Sequence, residues 1–248
     1  MQHLTKILAD RRCGFSLLEM ALVVTIIGLL AGSIVAGRSY IRNARLATMT
    51  NEARYYIGAL EQFESRYGAV AGDMVNAQNY WSGTNNGDGN GLIVAGTGYN
   101  AEYFYTFQHL AKAGLITGSY TGVTGSGSSY DSIPGVNIPA GNIDETGYVF
   151  MDVSSSILSG DPSYFDGYYV HPLFVGRRNT GGLPTNNFLS PIDAQKVDTK
   201  YDDGNPGLGW IRTYKGSVNT SCVSGDVAAT ATYTTANAVG CRLMMTLQ

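Results

Sequence analysis

Charge is scarce in this sequence. Asp, Glu, Lys and Arg make up 14% of its 248 residues, against the ~25% usual in soluble domains. The 19 acidic and 16 basic residues leave a formal net charge of −3, so the chain has no basic footprint for nucleic acid. Histidine is rarer still, and beyond the first few residues only His109 and His171 occur. No Gly-x-Ser-x-Gly, metal-binding His pair or phosphate-binding loop accompanies them. Those absences remove the residue sets of most hydrolases, zinc enzymes and nucleotide-dependent enzymes, and no catalytic residue is expected. Proline is missing before Pro134, so no pyrrolidine ring interrupts a helix in the first half of the chain.

What is there begins at the front. Lys6, Arg11 and Arg12 precede an apolar run from Phe15 to Gly37 in which Glu19 is the only ionisable side chain. As a helix at ~1.5 Å per residue this run covers roughly 34 Å, enough to cross a bilayer. Positive charge before such a run holds that side in the cytoplasm and sends the remainder outward. A lone carboxylate in hydrocarbon costs about 2.5–3.5 kcal/mol at mid-bilayer and less near an end, which marks Glu19 as functional. Gly28 and Gly32 form a Gly-xxx-Gly pair, read equally well as a close-packing face and as glycine merely tolerated in lipid.

Gly14-Phe15-Ser16-Leu17-Leu18-Glu19 resembles the processing motif of type IV prepilins and type II secretion pseudopilins. The resemblance implies a prepilin peptidase that cuts between Gly14 and Phe15 and methylates the new amine of Phe15. It implies that Glu19 then pairs with that amine on a neighbouring copy, a charge-assisted contact that gives the carboxylate its cation. Two other readings of the same stretch remain: a signal anchor whose Glu19 snorkels to the headgroups, and conventional cleavage after Ser33 behind Ala31-Gly32. Many members of the resembled family carry a Pro partway along this helix; here there is none.

Beyond the membrane the pattern turns one-sided. Leu46, Met49, Ala53, Tyr56, Leu60, Phe63 and Tyr67 recur every three or four residues, a helical stripe that Gly68 can stop. The expected division is therefore a leader over 1–14, a membrane half of one long helix over 15–37, its amphipathic half over 38–67, and a globular head over 68–248. In the head, 32 glycines and 17 tyrosines in the whole chain point to a turn-rich domain containing strands. One helical island has its apolar face at Phe104, Phe107, Leu110 and Ala111, with Gly114 as its stop. Ser190-Pro191 reads as the cap and first residue of another helix. Strands are expected over 148–153, 168–175, 209–214 and 241–247. Four strands over one long helix match the α+β, type IV pilin-like fold that the resemblance implies, a small antiparallel sheet packed on the helix. Ala71-Gly72-Asp73-Met74, Gln108-His109-Leu110-Ala111 and Ala113-Gly114-Leu115-Ile116 are similar to a pseudopilin-like subgroup.

Cleavage at Gly14 would discard Cys13 and leave Cys222 and Cys241 as the natural disulfide in an oxidising compartment. Asn86, Asp88 and Asn90 place oxygen donors at alternate positions of a Gly-rich turn, as in the first half of a calcium loop. The bidentate Glu of that pattern is replaced by Thr97, and Glu102 comes too late in register, so a plain Asn/Gly turn competes with calcium, the one cofactor left open. The resemblance implies a filament subunit whose partners are prepilin peptidase, other copies or related pilins, and an inner-membrane assembly platform. It further implies a single-pass inner-membrane protein with its head outside the cytoplasm, then a periplasmic or cell-surface filament. A secretion pseudopilin and an anchored adhesion head that never polymerises are the alternatives.

Overall fold

The structure is a computed structural model and describes residues 14–94, 101–126, 128, 130–153, 165, 169–214, 222–236 and 238–247. Residues 1–13 of the leader, with Lys6, Arg11, Arg12 and Cys13, lie outside the described residues, as do Thr97 and Tyr168. The chain divides into two compact units, Met1–Ala44 and Arg45–Gln248. The division falls inside the first helix, α1 (Leu17–Tyr67), just before its first buried side chain, Leu46. Helix α1 ends where the sequence places its stop: Gly68 adopts φ +65 and donates to the Glu64 carbonyl.

The larger unit is built around the second part of α1. Leu46, Met49, Ala53, Tyr56, Leu60 and Phe63 of the expected stripe are buried, and Tyr67 packs partly buried against them. After α1 come α2 (Ala77–Tyr80), α3 (Glu102–Lys112), β1 (Thr146–Phe150), β2 (Leu173–Arg177), α4 (Pro191–Tyr201), β3 (Ile211–Thr213), β4 (Val223–Ser224), β5 (Thr232–Tyr233) and β6 (Leu243–Met245). Strands β1-β2-β6-β3 form one antiparallel sheet in that order, and β4 pairs with β5 in a separate hairpin.

Strand alternation assigns the faces. Tyr148 and Phe150 look toward the helices: the Tyr148 ring lies 5.1 Å from Tyr56, and Phe150 lies 5.8 Å from Phe107. The Tyr148 hydroxyl donates to Glu52 Oε2 at 2.6 Å, which ties β1 to α1. At the far edge of the sheet the Arg54 guanidinium stacks on Trp210 at 4.8 Å. The opposite face is covered too. Val149, Phe174 and Met244 are buried on it, and Arg212, in the same row, covers the Tyr169 ring at 4.9 Å and donates to its hydroxyl.

All four expected strands form, but shorter than their apolar runs. The second starts only at Leu173 because His171 takes φ +47 and Pro172 has no N–H to give the ladder. Helix α3 is buried around nearly its whole circumference, from Glu102 to Leu110, rather than on one face. The loop after α1 wraps its second side: Gly72 donates to His109 Nδ1, and Thr106 donates to the Ala71 carbonyl. Gly72 has φ +97, and a Cβ there would lie 2.3 Å from Thr106 Oγ1, so only glycine permits this approach.

Candidate functional site

The helix start is organised by a pair of residues. Ser16 N donates to Glu19 Oε2 at 2.8 Å, and Glu19 N donates to Ser16 Oγ at 3.2 Å. This reciprocal arrangement is a capping box, which satisfies two of the N–H groups that a helix start leaves without partners. Its Ser-x-x-Glu signature stands in the sequence, yet Ser16 was not singled out there. Gly14 and Phe15 lie just outside the helix, with Phe15 80% exposed. The Gly14–Phe15 bond is therefore on accessible, non-helical backbone, two residues before α1 begins.

From that cap onward the chain leaves its apolar surface uncovered. Every large apolar side chain from Leu17 to Ile41 is exposed, and no atom approaches the Cβ positions of Gly28 or Gly32 within 4 Å. By length and composition α1 can cross a membrane. A stretch that exposes this much apolar area requires lipid or other helices around it.

In the head, the calcium-like turn closes partly on itself and partly on residues distant in sequence. Asn86 Oδ1 accepts from Gln78 N, and Asn90 Oδ1 accepts from Leu92 N. Asp88 accepts from the N–H and the Nδ2 of Asn90 and also meets Asp73 and Glu102, with one oxygen of each carboxylate within 4.8 Å of the others. Asp73 accepts the N–H groups of Gly89, Asn90 and Gly91. Glu102 accepts those of Asp88 and Val94. Burial pushes Glu102 up to about 6 against those donors. Burial also raises Asp73, while its three backbone N–H donors pull the other way. Three hard oxygen donors suit a hard divalent cation, and Asp88 is the exposed member of the three. As they stand, Asp73 and Glu102 already hold the turn together as backbone acceptors.

Cys222 and Cys241 are bonded to each other. The bridge joins the start of β4 to the lead-in of β6 and pins the β4–β5 hairpin to the sheet. A buried contact adds to it: the Tyr233 hydroxyl donates to Asp198 Oδ2 at 2.7 Å. Burial pushes Asp198 up to about 7, with Asp202 and Asp203 adding like charge. The two histidines serve packing. His109 Nδ1 accepts from Gly72, so its Nε2 carries the proton given to the Asn85 carbonyl at 2.7 Å. His171 Nδ1 lies 3.7 Å from Asp152 Oδ2.

Residues 10–35 match a family model described as the prokaryotic N-terminal methylation motif. No curated protein and no solved structure matches the chain. The matched segment runs through the Gly14–Phe15 junction, the capped helix start and Glu19, and on through the uncovered apolar helix. The chain therefore carries the prepilin-type cleavage and methylation signature of type IV pilin- and pseudopilin-like proteins, borne on an α+β fold with one long N-terminal helix.

Proposed function

We propose that this protein is a structural subunit of a type IV pilus-like filament. A prepilin peptidase cuts it between Gly14 and Phe15 and methylates the Phe15 amine, and the mature chain polymerises through the first part of α1. Glu19 of one copy pairs with the Phe15 amine of the next. The observation that supports this best is the coincidence of three features within the matched segment. The Gly14–Phe15 bond lies on exposed, non-helical backbone, an acid stands in the first turn of α1, and an apolar helical surface follows with nothing of its own unit to cover it.

The capping box bears on the mechanism. Before cleavage Glu19 is occupied with the Ser16 N–H. Cleavage turns the adjacent Phe15 nitrogen into a cation, and a cation on a neighbouring copy is a stronger partner for a carboxylate in lipid than a neutral N–H. Helices bearing Gly28 and Gly32 can approach closely enough to bring the two together. The signature supports a structural rather than enzymatic role, and the partners in this reading are the peptidase, further pilin-like subunits and an inner-membrane platform that extracts them. The head, held out of the cytoplasm, makes its disulfide there.

Mass analysis of the exported protein tests the processing step. The mature N-terminus is expected to be N-methylated Phe15. A chain that still begins at Met1, or that begins at Ile34, refutes it.

A further inference from the structure

Where the apolar part of α1 ends, charge returns with one sign only. Between Glu19 and Glu52 the sequence holds no acidic residue. Within the unit Met1–Ala44, the cations beyond the apolar run are Arg38 and Arg42. Four residues apart on a helix, they share one face, and both are exposed. Tyr40 and Ile41 beside them are 77% and 56% exposed. An aromatic ring and arginines together are what a helix presents at a membrane–water boundary.

The spacing from the other end agrees. No ionisable side chain lies between Glu19 and Arg38. Over that interval the helix rises about 28 Å at 1.5 Å per residue, close to the ~30 Å hydrocarbon thickness of a bilayer. The first acid and the first base of α1 thus stand one hydrocarbon layer apart. When Glu19 is at one headgroup level, Arg38 is at the other, and Arg42 lies one turn further out. Guanidinium groups at that depth face lipid phosphates, which they bind through paired N–H donors.

We propose that Arg38 and Arg42 dock on anionic lipid headgroups in the leaflet on the head side, and that this contact sets the depth of α1 in the membrane. The proposal rests on reading the apolar part of α1 as membrane-spanning. At this depth Glu19 lies at the leader-side headgroups, and the Gly14–Phe15 bond, a few residues further out, lies beyond the hydrocarbon. The arginine pair therefore acts as a depth stop that presents the junction for cleavage before assembly.

The test uses the full chain reconstituted in vesicles of phosphatidylcholine with increasing phosphatidylglycerol, and counts the lipid retained by the chain. Phosphatidylglycerol is expected to be enriched, and the enrichment to weaken as salt is raised. The Arg38→Gln/Arg42→Gln variant is expected to lose about fivefold in enrichment per arginine, and Arg38→Lys/Arg42→Lys to keep most of it. Lys6, Arg11, Arg12 and the exposed Arg45 contribute a background that all variants share. No enrichment in the unaltered chain, or enrichment undiminished in the double Gln variant, overturns the proposal. Failure of the chain to float with phosphatidylcholine vesicles instead refutes the membrane-spanning reading, and the docking falls with it.

Discussion

Glu19 carries two roles that one pair of substitutions separates. In the capping box it accepts the Ser16 N–H at 2.8 Å, and a glutamine can do the same. In the filament it supplies a negative charge for the Phe15 amine, which a glutamine cannot. Glu19→Ala removes both functions and Glu19→Gln only the charge. Losing the Glu19 half of the capping box leaves Ser16 as the cap and removes one hydrogen bond, at about 0.5–1.5 kcal/mol, which frays the first turn of α1. Losing one member of a buried ion pair costs about 3–5 kcal/mol, because the other charge stays buried between subunits unpaired. At 1.4 kcal/mol per decade, that raises the subunit concentration needed for assembly by about 10²- to 10³-fold or more. Both variants are expected to insert and to be cut after Gly14, and neither to form filaments. Hydrogen exchange at residues 17–20 is expected to rise in Glu19→Ala alone. The assay is sheared-filament yield by sedimentation alongside the membrane-bound pool. Filaments at the unaltered level from Glu19→Gln would refute the charge role, whatever the alanine variant does.

Three further outcomes concern the head. Replacing Cys222 and Cys241 by Ser is expected to cost about 3 kcal/mol in the loop-entropy account, read by chemical denaturation, and to expose the β4–β5 hairpin to protease first. Asp198 and Glu102 have folded-state values raised to about 7 and about 6 above their ordinary 3.8 and 4.5. Their stabilising contribution is therefore full below about pH 4 and lost as pH rises through 6 and 7. The melting temperature should fall over that window, less so in Asp198→Asn, and a flat profile would contradict the burial argument. Calcium is expected to raise the melting temperature of the unaltered chain above its value in chelator, and Asp88→Asn to remove the difference. A melting temperature indifferent to calcium leaves Asp73, Asp88 and Glu102 as backbone acceptors alone.

Helices α1, α3 and α4 were legible because their signals are local, whereas the four-residue α2 was not expected. The stripe from Leu46 to Phe63 repeats with the helical period, and Gly68, Gly114 and the Ser190-Pro191 pair mark helix ends by their own backbone preferences. Ser16 was equally legible, since its partner lies three residues away, but the pull of the cleavage motif hid the capping box. The strands were harder to delimit, because aromatic and β-branched runs continue past the residues that actually pair. Hairpin β4–β5 escaped notice: two-residue strands in a stretch rich in Ser, Thr and Ala carry no alternation to read.

By itself the sequence determined the two ends of the functional story: the junction with its acid and apolar helix, and the cysteine pair. Each is a matter of residue type at fixed spacing along one chain. Only the tertiary structure decided that Asp88 joins Asp73 and Glu102 as well as Asn90, that Tyr233 reaches Asp198, and that α3 is buried from Glu102 to Leu110. Those contacts join residues 14 to 37 positions apart, where chain closure and packing choose the partners. No periodicity or local preference carries that choice.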